Sequence, residues 1–359
     1  MIPTLPDPLA SMRALVEDIG GLRQVDQVRR GMWLHANLPR PPIGMTPHRV
    51  VHTQNKLTLR CYEPTEPIPG APPVVVVPSM INRASICDLE PDRSLVGGLA
   101  QRGHRVYLLD WGCPGPEDAE QTVAHVLLNL FDRAVRRACR DAGSEQVFLL
   151  GYCQGGTLAG MYTALRPQRV RGLAVFNAPF LFSEAGRFHD FVAPEVFDVD
   201  TAIDPSRLMP TDVMKVGFKL LDPMGNWTRF IALDKAAEDP ARLARTLARE
   251  RWLEENIPMP GAFAQEFIRN AYQEDRLMRG GWVVAGEEIR LSDITCPVLC
   301  CAAERDFIAP KESVLPLADA VGSTDTRAEV LPTGHIGVVV GSFGPRVFYP
   351  LLDEWFRSH

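Results

Sequence analysis

Hydrophobic positions in this chain fall into short continuous runs separated by longer stretches with helical spacing. The runs predict strands, and the β-branched run at residues 74–77 predicts a strand buried on both faces of a sheet. The runs cover residues 74–77, 106–109, 147–150, 172–176, 297–302 and 328–331. Because helical segments separate most of these runs, we expect a mainly parallel sheet with right-handed crossovers. Residues 50–62 instead alternate around Gln54 and Asn55, which predicts an antiparallel hairpin.

Two regions depart from this rhythm of strands and helices. Residues 8–36 predict one or two amphipathic helices, with apolar side chains near helical spacing at Leu15, Ile19, Leu22, Val25 and Val28. Residues 181–290 contain helix-like runs such as 239–255, and we expect a mostly helical cap over the carboxyl ends of the strands. The predicted domains are an N-terminal helical segment and linker at 1–45, a core at 46–180, the cap at 181–290 and the rest of the core at 291–359.

The predicted cap is also rich in aromatic side chains. We expect most of them to form an ordinary helical core, and the cap as a whole to exclude water from the site beneath it. The residues concerned, with their neighbours at the start of the cap, are Phe180, Phe182, Phe188, Phe191, Phe197, Phe218 and Trp227.

Composition narrows the class of protein. The 359 residues are 46% hydrophobic and 23% charged, as in ordinary soluble globular proteins, and the net charge of −6 argues against nucleic-acid binding. No apolar run approaches about 18 residues, so no transmembrane segment is expected. Residues 1–8 carry three prolines and no basic residue, which argues against a secretory signal. We therefore expect a cytoplasmic protein whose eight cysteines are free thiols.

The most informative motif is a cysteine at a sharp turn. Residues 149–156 read LLGYCQGG, an apolar strand that runs into a turn with glycines two positions before and two after Cys153. This is the G-x-S-x-G nucleophile elbow of α/β-hydrolases with cysteine in place of serine. A buried structural cysteine has no need of glycines on both sides. The motif predicts an α/β-hydrolase fold with Cys153 as nucleophile.

A nucleophilic cysteine needs a base, and the base needs an acid to orient it. In α/β-hydrolases the chain order is nucleophile, acid, histidine. Asp306 lies just beyond the predicted strand 297–302, with Glu304 as an alternative acid if that strand ends earlier. His335 lies in a loop flanked by glycines. The other histidines after the elbow are His189, in the predicted cap, and His359, the last residue.

Two backbone amides should bind the carbonyl oxygen of the substrate. In this fold one belongs to the residue after the nucleophile, here Gln154, and the other to the loop after the strand 74–77. Met80 or Ile81 supplies that second amide, and the sequence does not decide between them.

Three further features are assigned no chemistry. A helix before the elbow strand carries Arg133, Arg136, Arg137 and Arg140, which we interpret as a solvated face rather than a coenzyme A site. Cys296, Cys300 and Cys301 lie in or beside a buried strand, so we expect no metal site there. Asp110 and Trp111 follow a strand and either shape the pocket or fix the loop.

With these residues assembled, the chain resembles the catalytic subunit of polyhydroxyalkanoate synthases, particularly class III and class IV. The matching segments are 45–51, 81–83, 88–89, 92–95, 109–114, 151–157, 302–306 and 334–337, with 252–258 and 272–277 in the cap. The resemblance implies that Cys153, Asp306 and His335 match the catalytic residues. It also implies a 3-hydroxyacyl-CoA substrate, a polyester product on cytoplasmic granules, and a second subunit or a homodimer. Tyr152 and residues 338–340 depart from the family pattern.

The sulfur atom favours acyl transfer between thioesters, because replacing one thioester by another keeps the acyl group activated. Coenzyme A is then part of the substrate, and neither a cofactor nor a metal is required. Whether His335 or Asp306 activates the 3-hydroxyl group is left open. The alternatives are a cysteine-dependent hydrolase of thioesters or polyester oligomers, and a catalytically quiet granule-associated paralogue.

Overall fold

The computed structural model describes residues 22–222 and 224–359. Its strands are β1 Arg49–Gln54, β2 Leu57–Tyr62, β3 Val74–Val77, β4 Val106–Asp110, β5 Val147–Tyr152, β6 Val170–Phe176, β7 Leu208–Met209, β8 Met259–Pro260, β9 Val283–Val284, β10 Glu287–Glu288, β11 Val298–Ala303 and β12 Thr326–Leu331. Eight of them form one sheet in the order β1-β2-β4-β3-β5-β6-β11-β12. The pairs β1–β2 and β2–β4 are antiparallel and the others are parallel, which confirms the predicted mainly parallel sheet.

The buried strands lie where the apolar runs predicted them. β3 is four valines, all fully buried, and β5 is buried along its whole length. Such strands are covered on both faces, which is why their sequences do not alternate. The hairpin is also present, but its turn is formed by Asn55 and Lys56, one residue later than predicted. Asn55 has a φ of 53°, a value that asparagine tolerates better than most residues.

Helices account for much of the rest of the described chain. The α-helices of the described residues are Leu22–Asn37, Leu95–Ala100, Val123–His125, Asp132–Ala142, Gln154–Leu165, Gly186–Val192, Val199–Ala202, Thr211–Leu221, Gly225–Ala236, Pro240–Glu254, Gly261–Phe267, Arg276–Arg279, Lys311–Val314, Leu317–Ala320, Gly337–Val340 and Tyr349–Ser358. Single 3-10 turns occur at Ala84–Asp88, Pro116–Asp118, Pro167–Arg169, Phe182–Glu184 and Leu291–Asp293. Turns with π-helical hydrogen bonds occur at Val126–Phe131, Ile268–Gln273 and Gly344–Phe348.

The chain forms two compact units. One comprises residues 43–217 and 252–359 and contains the whole sheet. The other joins the described part of the N-terminal segment to residues 218–251. Within it, Arg30 of the helix Leu22–Asn37 binds both carboxylate oxygens of Asp234, and Arg229 pairs with the buried Glu250.

Several expectations concern the N-terminus and the cap. The predicted helix at 239–255 is present as Pro240–Glu254. The predicted helical positions 8–21 and the segment 1–8 lie outside the described residues, and the domain boundaries remain a prediction. Among the cap aromatics, Phe180 and Phe182 are fully buried, whereas Phe191 and Trp227 are exposed. Among the described residues, no helix has the length and apolar character needed to cross a bilayer.

Candidate active site

Cys153 lies at the turn between β5 and the helix Gln154–Leu165. Its φ is 54°, on the left-handed side of the Ramachandran map, a backbone conformation that residues other than glycine seldom adopt. The flanking hydrogen bonds hold it there, because its N–H donates to the carbonyl of Phe176 at 3.1 Å and its own carbonyl accepts from Gly156 at 2.8 Å. The sulfur is therefore presented at the carboxyl edge of the sheet, on a strained turn.

The glycines of the elbow are required by close approach. A Cβ atom on Gly155 would lie 2.3 Å from the carbonyl oxygens of both Val77 and Pro78. A Cβ atom on Gly156 would lie 2.5 Å from the Cβ of Ala178. The elbow therefore packs directly against the loops that follow β3 and β6, which places the loop after β3 beside the nucleophile.

His335 and Asp306 meet at this edge of the sheet. The His335 Nδ1 atom lies 2.7 Å from Oδ2 of Asp306, and Cys153 lies close enough to raise the pKa of the ring. The other oxygen of Asp306 accepts the backbone N–H groups of Ile308 and Ala309, at 2.9 Å and 3.0 Å. The structure thus brings together the three residues named from the sequence. Glu304, the alternative acid, is exposed.

The charge of the His335 ring follows from this environment. Burial by itself lowers the pKa of a histidine. The carboxylate of Asp306, which is hydrogen-bonded to the ring, and the side chain of Cys153 oppose this effect, and together they raise the pKa of His335 to about 10. The site therefore holds a protonated ring between a carboxylate and a sulfur, the arrangement used by cysteine nucleophiles that are paired with histidine.

Asn177 is a site residue that sequence reasoning missed. It follows β6, is fully buried and has a φ of 50°. Its Nδ2 donates to the carbonyl of His335 at 2.6 Å, and its Oδ1 accepts the N–H of Ala303 at 2.8 Å. Asn177 therefore ties the histidine loop to the end of β11. The left-handed φ after a strand is visible only in the three-dimensional structure.

Tyr152 also contacts the histidine loop. Its ring stacks on Phe176 with centroids 4.8 Å apart, and its centroid is 5.4 Å from that of His335. Its hydroxyl donates to the carbonyl of His335 at 3.4 Å. Burial raises the pKa of Tyr152 far above its ordinary value, so the phenol remains neutral. The bulky residue that departs from the family pattern thus supports the ring of His335.

The predicted oxyanion loop lies against the elbow. The N–H of Met80 donates to the side-chain oxygen Oε1 of Gln154 at 3.2 Å, and the N–H of Ile81 donates to Oγ of Ser79 at 3.0 Å. As the first residue of its helix, Gln154 has a backbone N–H with no acceptor in a preceding helical turn. Of the two alternatives left open by the sequence, the amide of Met80 is the one bonded to the elbow.

Trp111 fixes this loop and also lines a neighbouring cavity. Its Nε1 donates to the carbonyl of Pro78 at 2.9 Å. The cavity is bordered by Trp111, by Met80 and by the hairpin turn at Asn55. Asp110 pairs with Arg60 on the adjacent strand β2. Trp111 therefore fixes the loop after β3, and Asp110 fixes the turn after its own strand, because its Oδ1 accepts the N–H of Gly112 at 3.0 Å.

The other thiols differ from Cys153 in their surroundings. Burial raises the pKa of Cys61 and Cys300 to about 12 and that of Cys296 to about 11. It also raises the pKa of three more thiols, namely Cys87, Cys139 and Cys301. These six remain protonated and unreactive near neutral pH.

Two other clusters hold charged or metal-ligating side chains. Cys61, Glu63 and Asp141 bring possible ligand atoms within 4.8 Å of one another. However, the guanidinium group of Arg49 already binds both carboxylates, at 2.7 Å and 2.6 Å. This group supplies the positive charge that a metal ion would otherwise provide. The four arginines of the helix before β5 are exposed, as a solvated face requires; they are Arg133, Arg136, Arg137 and Arg140.

Comparisons with known proteins give two family matches. Residues 72–342 match the alpha/beta hydrolase fold family, and residues 12–98 match the N-terminal region of poly-beta-hydroxybutyrate polymerase (PhaC). The poly(3-hydroxyalkanoate) polymerase subunit PhaC of Allochromatium vinosum is 31% identical over 318 residues, which cover 88% of this chain and 89% of that protein. The subunit of the same name from Haloferax mediterranei is 33% identical, and the match spans 65% of its length.

Solved structures support the fold independently. The monoacylglycerol lipase of Paleococcus ferrophilus aligns with a TM-score of 0.52 at 18% identity, covering 84% of this chain and 99% of that one. An alpha/beta hydrolase fold protein from Chitinophaga pinensis aligns with a TM-score of 0.51 at 13% identity, covering 88% of this chain and 98% of that one. At such identities the likeness shows the fold alone. The fold and the elbow thus define an α/β-hydrolase with a cysteine at the nucleophile position. Within that class, the chain belongs to the family of poly(3-hydroxyalkanoate) polymerase PhaC subunits.

Proposed function

We propose that this chain transfers 3-hydroxyacyl groups from coenzyme A thioesters and joins them into a polyester. One observation carries the proposal. His335 is paired with Asp306 at 2.7 Å, and Cys153, on the elbow, lies close enough to raise the pKa of its ring; relatives of the chain are named poly(3-hydroxyalkanoate) polymerase subunits. The catalytic roles of Cys153, Asp306, His335, Gln154 and Met80 are part of this proposal.

In the first step Cys153 becomes acylated. The thiol has given its proton to His335 before the substrate arrives, which accounts for the protonated ring, and the sulfur attacks the thioester carbonyl of the substrate as a thiolate. The resulting oxyanion is stabilised by the backbone N–H groups of Gln154 and Met80. When the intermediate collapses, the bond to the coenzyme A sulfur breaks and that sulfur takes the proton from His335. Coenzyme A leaves, and the acyl group remains activated as a thioester of Cys153.

In the second step a 3-hydroxyl group attacks the thioester of another acyl group. An ester bond forms, the thiolate departs, and the hydroxyl proton passes through the base to that thiolate. We assign the base to His335. The side chain of Asp306 is fully buried, and its oxygens are occupied by His335 and by two backbone amides. The carboxylate then orients the ring and stabilises its charge, as in other triads.

The proposal extends to partners and place of action. The relatives are named subunits, so we propose that this chain acts with a second subunit or as a homodimer. A polyester product collects as an insoluble phase, so the enzyme would work at the surface of a cytoplasmic granule. Coenzyme A enters and leaves as part of the substrate. The two proposed steps use only side chains and backbone amides, so they call for neither a cofactor nor a metal.

Incubation with 3-hydroxybutyryl-CoA tests the function directly. We expect release of coenzyme A together with insoluble polyester, in assays run with and without a candidate second subunit. Release of coenzyme A with free 3-hydroxybutyrate would instead identify a hydrolase. An absence of coenzyme A release, with no preferential alkylation of Cys153, would identify a quiet paralogue. Either of these results would overturn the proposal.

A further inference from the structure

The amide that faces the elbow is already engaged by the protein itself. The N–H of Met80 donates to the carboxamide oxygen of Gln154 at 3.2 Å, and both residues are more than nine-tenths buried. The N–H of Ile81 is engaged differently, because its acceptor, Oγ of Ser79, belongs to the same loop. A side-chain oxygen from the elbow therefore sits on the donor that the proposed mechanism assigns to the substrate oxygen.

The loop does not depend on Gln154 for its position. Three other hydrogen bonds hold its backbone carbonyl groups, and they come from two separate parts of the chain. Trp111 Nε1 donates to Pro78 at 2.9 Å, the N–H of Ile257 donates to Ile81 at 3.1 Å, and Trp252 Nε1 donates to Arg83 at 2.9 Å. The bond from Met80 to Gln154 is therefore free to break without releasing the loop.

We propose that the Gln154 side chain gates the oxyanion site, with its carboxamide oxygen standing in for the carbonyl oxygen of the substrate. This inference rests on the proposed function. A neutral thioester oxygen that displaces the Gln154 carboxamide oxygen from the N–H of Met80 replaces one neutral hydrogen bond by another. The binding of the ground-state substrate therefore gains little from this exchange. The tetrahedral oxyanion is charged, and charge-assisted hydrogen bonds are about twice as strong as neutral ones. The Gln154 side chain is therefore fully displaced from the N–H of Met80 only as negative charge develops on the substrate oxygen.

Two substitutions of similar length separate gating from positioning. Gln154→Met removes the acceptor and leaves the amide of Met80 open. We expect first-turnover acylation by 3-hydroxybutyryl-CoA to become about fivefold faster, the factor that one neutral hydrogen bond commonly contributes. Gln154→Glu places a carboxylate on the same amide and repels the developing oxyanion. For this variant we expect acylation to be about tenfold slower.

Alkylation by iodoacetamide supplies the control. That reaction forms a bond to Cys153 without an oxyanion, so acylation rates are divided by alkylation rates for each variant. If the ratio falls in both variants, the side chain positions Met80 and the gate is wrong. If the ratio is unchanged in both, Gln154 does not occupy the oxyanion site and the gate is again wrong.

A second acyl donor keeps this inference separate from the proposed function. Acylation of Cys153 by p-nitrophenyl acetate passes through the same oxyanion and releases p-nitrophenolate. If the parent enzyme releases no coenzyme A but the two variants change p-nitrophenolate release in opposite directions, the gate stands and the polymerase function fails. If p-nitrophenolate release does not respond in opposite directions, the gate fails whatever the natural substrate is.

Discussion

At the scale of single residues, the proposed chemistry depends on the sulfur atom of Cys153. A serine hydroxyl ionises far less readily than a thiol, and its ester is a poorer acyl donor than a thioester. For Cys153→Ser we expect release of coenzyme A from 3-hydroxybutyryl-CoA to fall by about 10²–10⁴-fold, the range typical when proton transfer no longer yields an effective nucleophile. Cys113→Ser changes an exposed cysteine and is the matched control. Polymerisation by the serine variant at a rate near that of the parent would contradict this account.

We expect Asn177 to act on the proposed reaction through its hydrogen bonds to His335 and Ala303. Asn177→Gly tolerates the φ of 50° and so isolates the effect of losing the carboxamide. The buried N–H of Ala303 loses its acceptor, and we expect the free energy of unfolding to fall by about 1–3 kcal/mol. The carbonyl of His335 also loses its donor, so we expect a changed pH profile for alkylation of Cys153.

The pH profile distinguishes positioning from simple destabilisation. Thr163→Ala is the matched control, because Thr163 is also fully buried and its hydroxyl donates to a helix carbonyl rather than to the histidine loop. It should lower stability and leave the alkylation profile of Cys153 unchanged. If Asn177→Gly behaves in the same way, its link to His335 has no effect on the reaction.

At the scale of elements, the elbow depends on how closely β3 and the helix after β5 approach each other. In Gly155→Ala the added Cβ would lie 2.3 Å from two backbone carbonyl oxygens, neither of which can move freely. We expect a loss of about 1–3 kcal/mol in unfolding free energy, as in overpacked cores. Gly217→Ala provides the comparison, because no atom lies within 4 Å of its added Cβ in the helix Thr211–Leu221. That change should stabilise the protein by up to about 1 kcal/mol.

Chemical denaturation of the parent and the two glycine variants measures both effects. The changes in unfolding free energy should have opposite signs, because the Cβ of Gly155→Ala meets backbone atoms whereas that of Gly217→Ala lies in open space. If Gly155→Ala is as stable as the parent, the elbow and the loop after β3 are not in close contact.

The elements differ in how far the sequence alone defines them. Runs such as Val74–Val77 predict their strands closely, because a strand buried on both faces must be apolar throughout. The chain order of nucleophile, acid and histidine pointed to Cys153 and His335, but it left Glu304 as an alternative to Asp306, because the end of the preceding strand was not defined. The choice between Met80 and Ile81 could not be made, because it depends on which amide faces a residue 74 positions away. The role of Asn177 likewise depends on contacts with residues that are distant in the sequence, namely Ala303 of β11 and His335 in the loop after β12.

At the scale of the whole molecule, the triad connects stability to pH. The pKa of His335 is about 10 in the folded protein, against an ordinary value of 6.5. Between these values the folded state keeps a proton that the unfolded state has released. The stabilising contribution is therefore complete below pH 6.5 and is lost as the pH rises through 10. Buried thiols with raised pKa values act in the same direction at alkaline pH, so the parent must be compared with variants.

Replacing His335 should remove this part of the pH dependence. We expect the difference in unfolding free energy between the parent and His335→Gln to be largest near pH 6 and to shrink towards pH 10, since glutamine does not titrate. Cys153→Ala keeps the charge of Asp306 but removes the second source of the raised pKa, so its curve should lie between the other two. Urea denaturation at several pH values gives the three curves. Parallel curves for the parent and His335→Gln would mean that the ring does not keep its proton in the folded protein, and the proposed proton transfer from Cys153 to His335 would then need a different base.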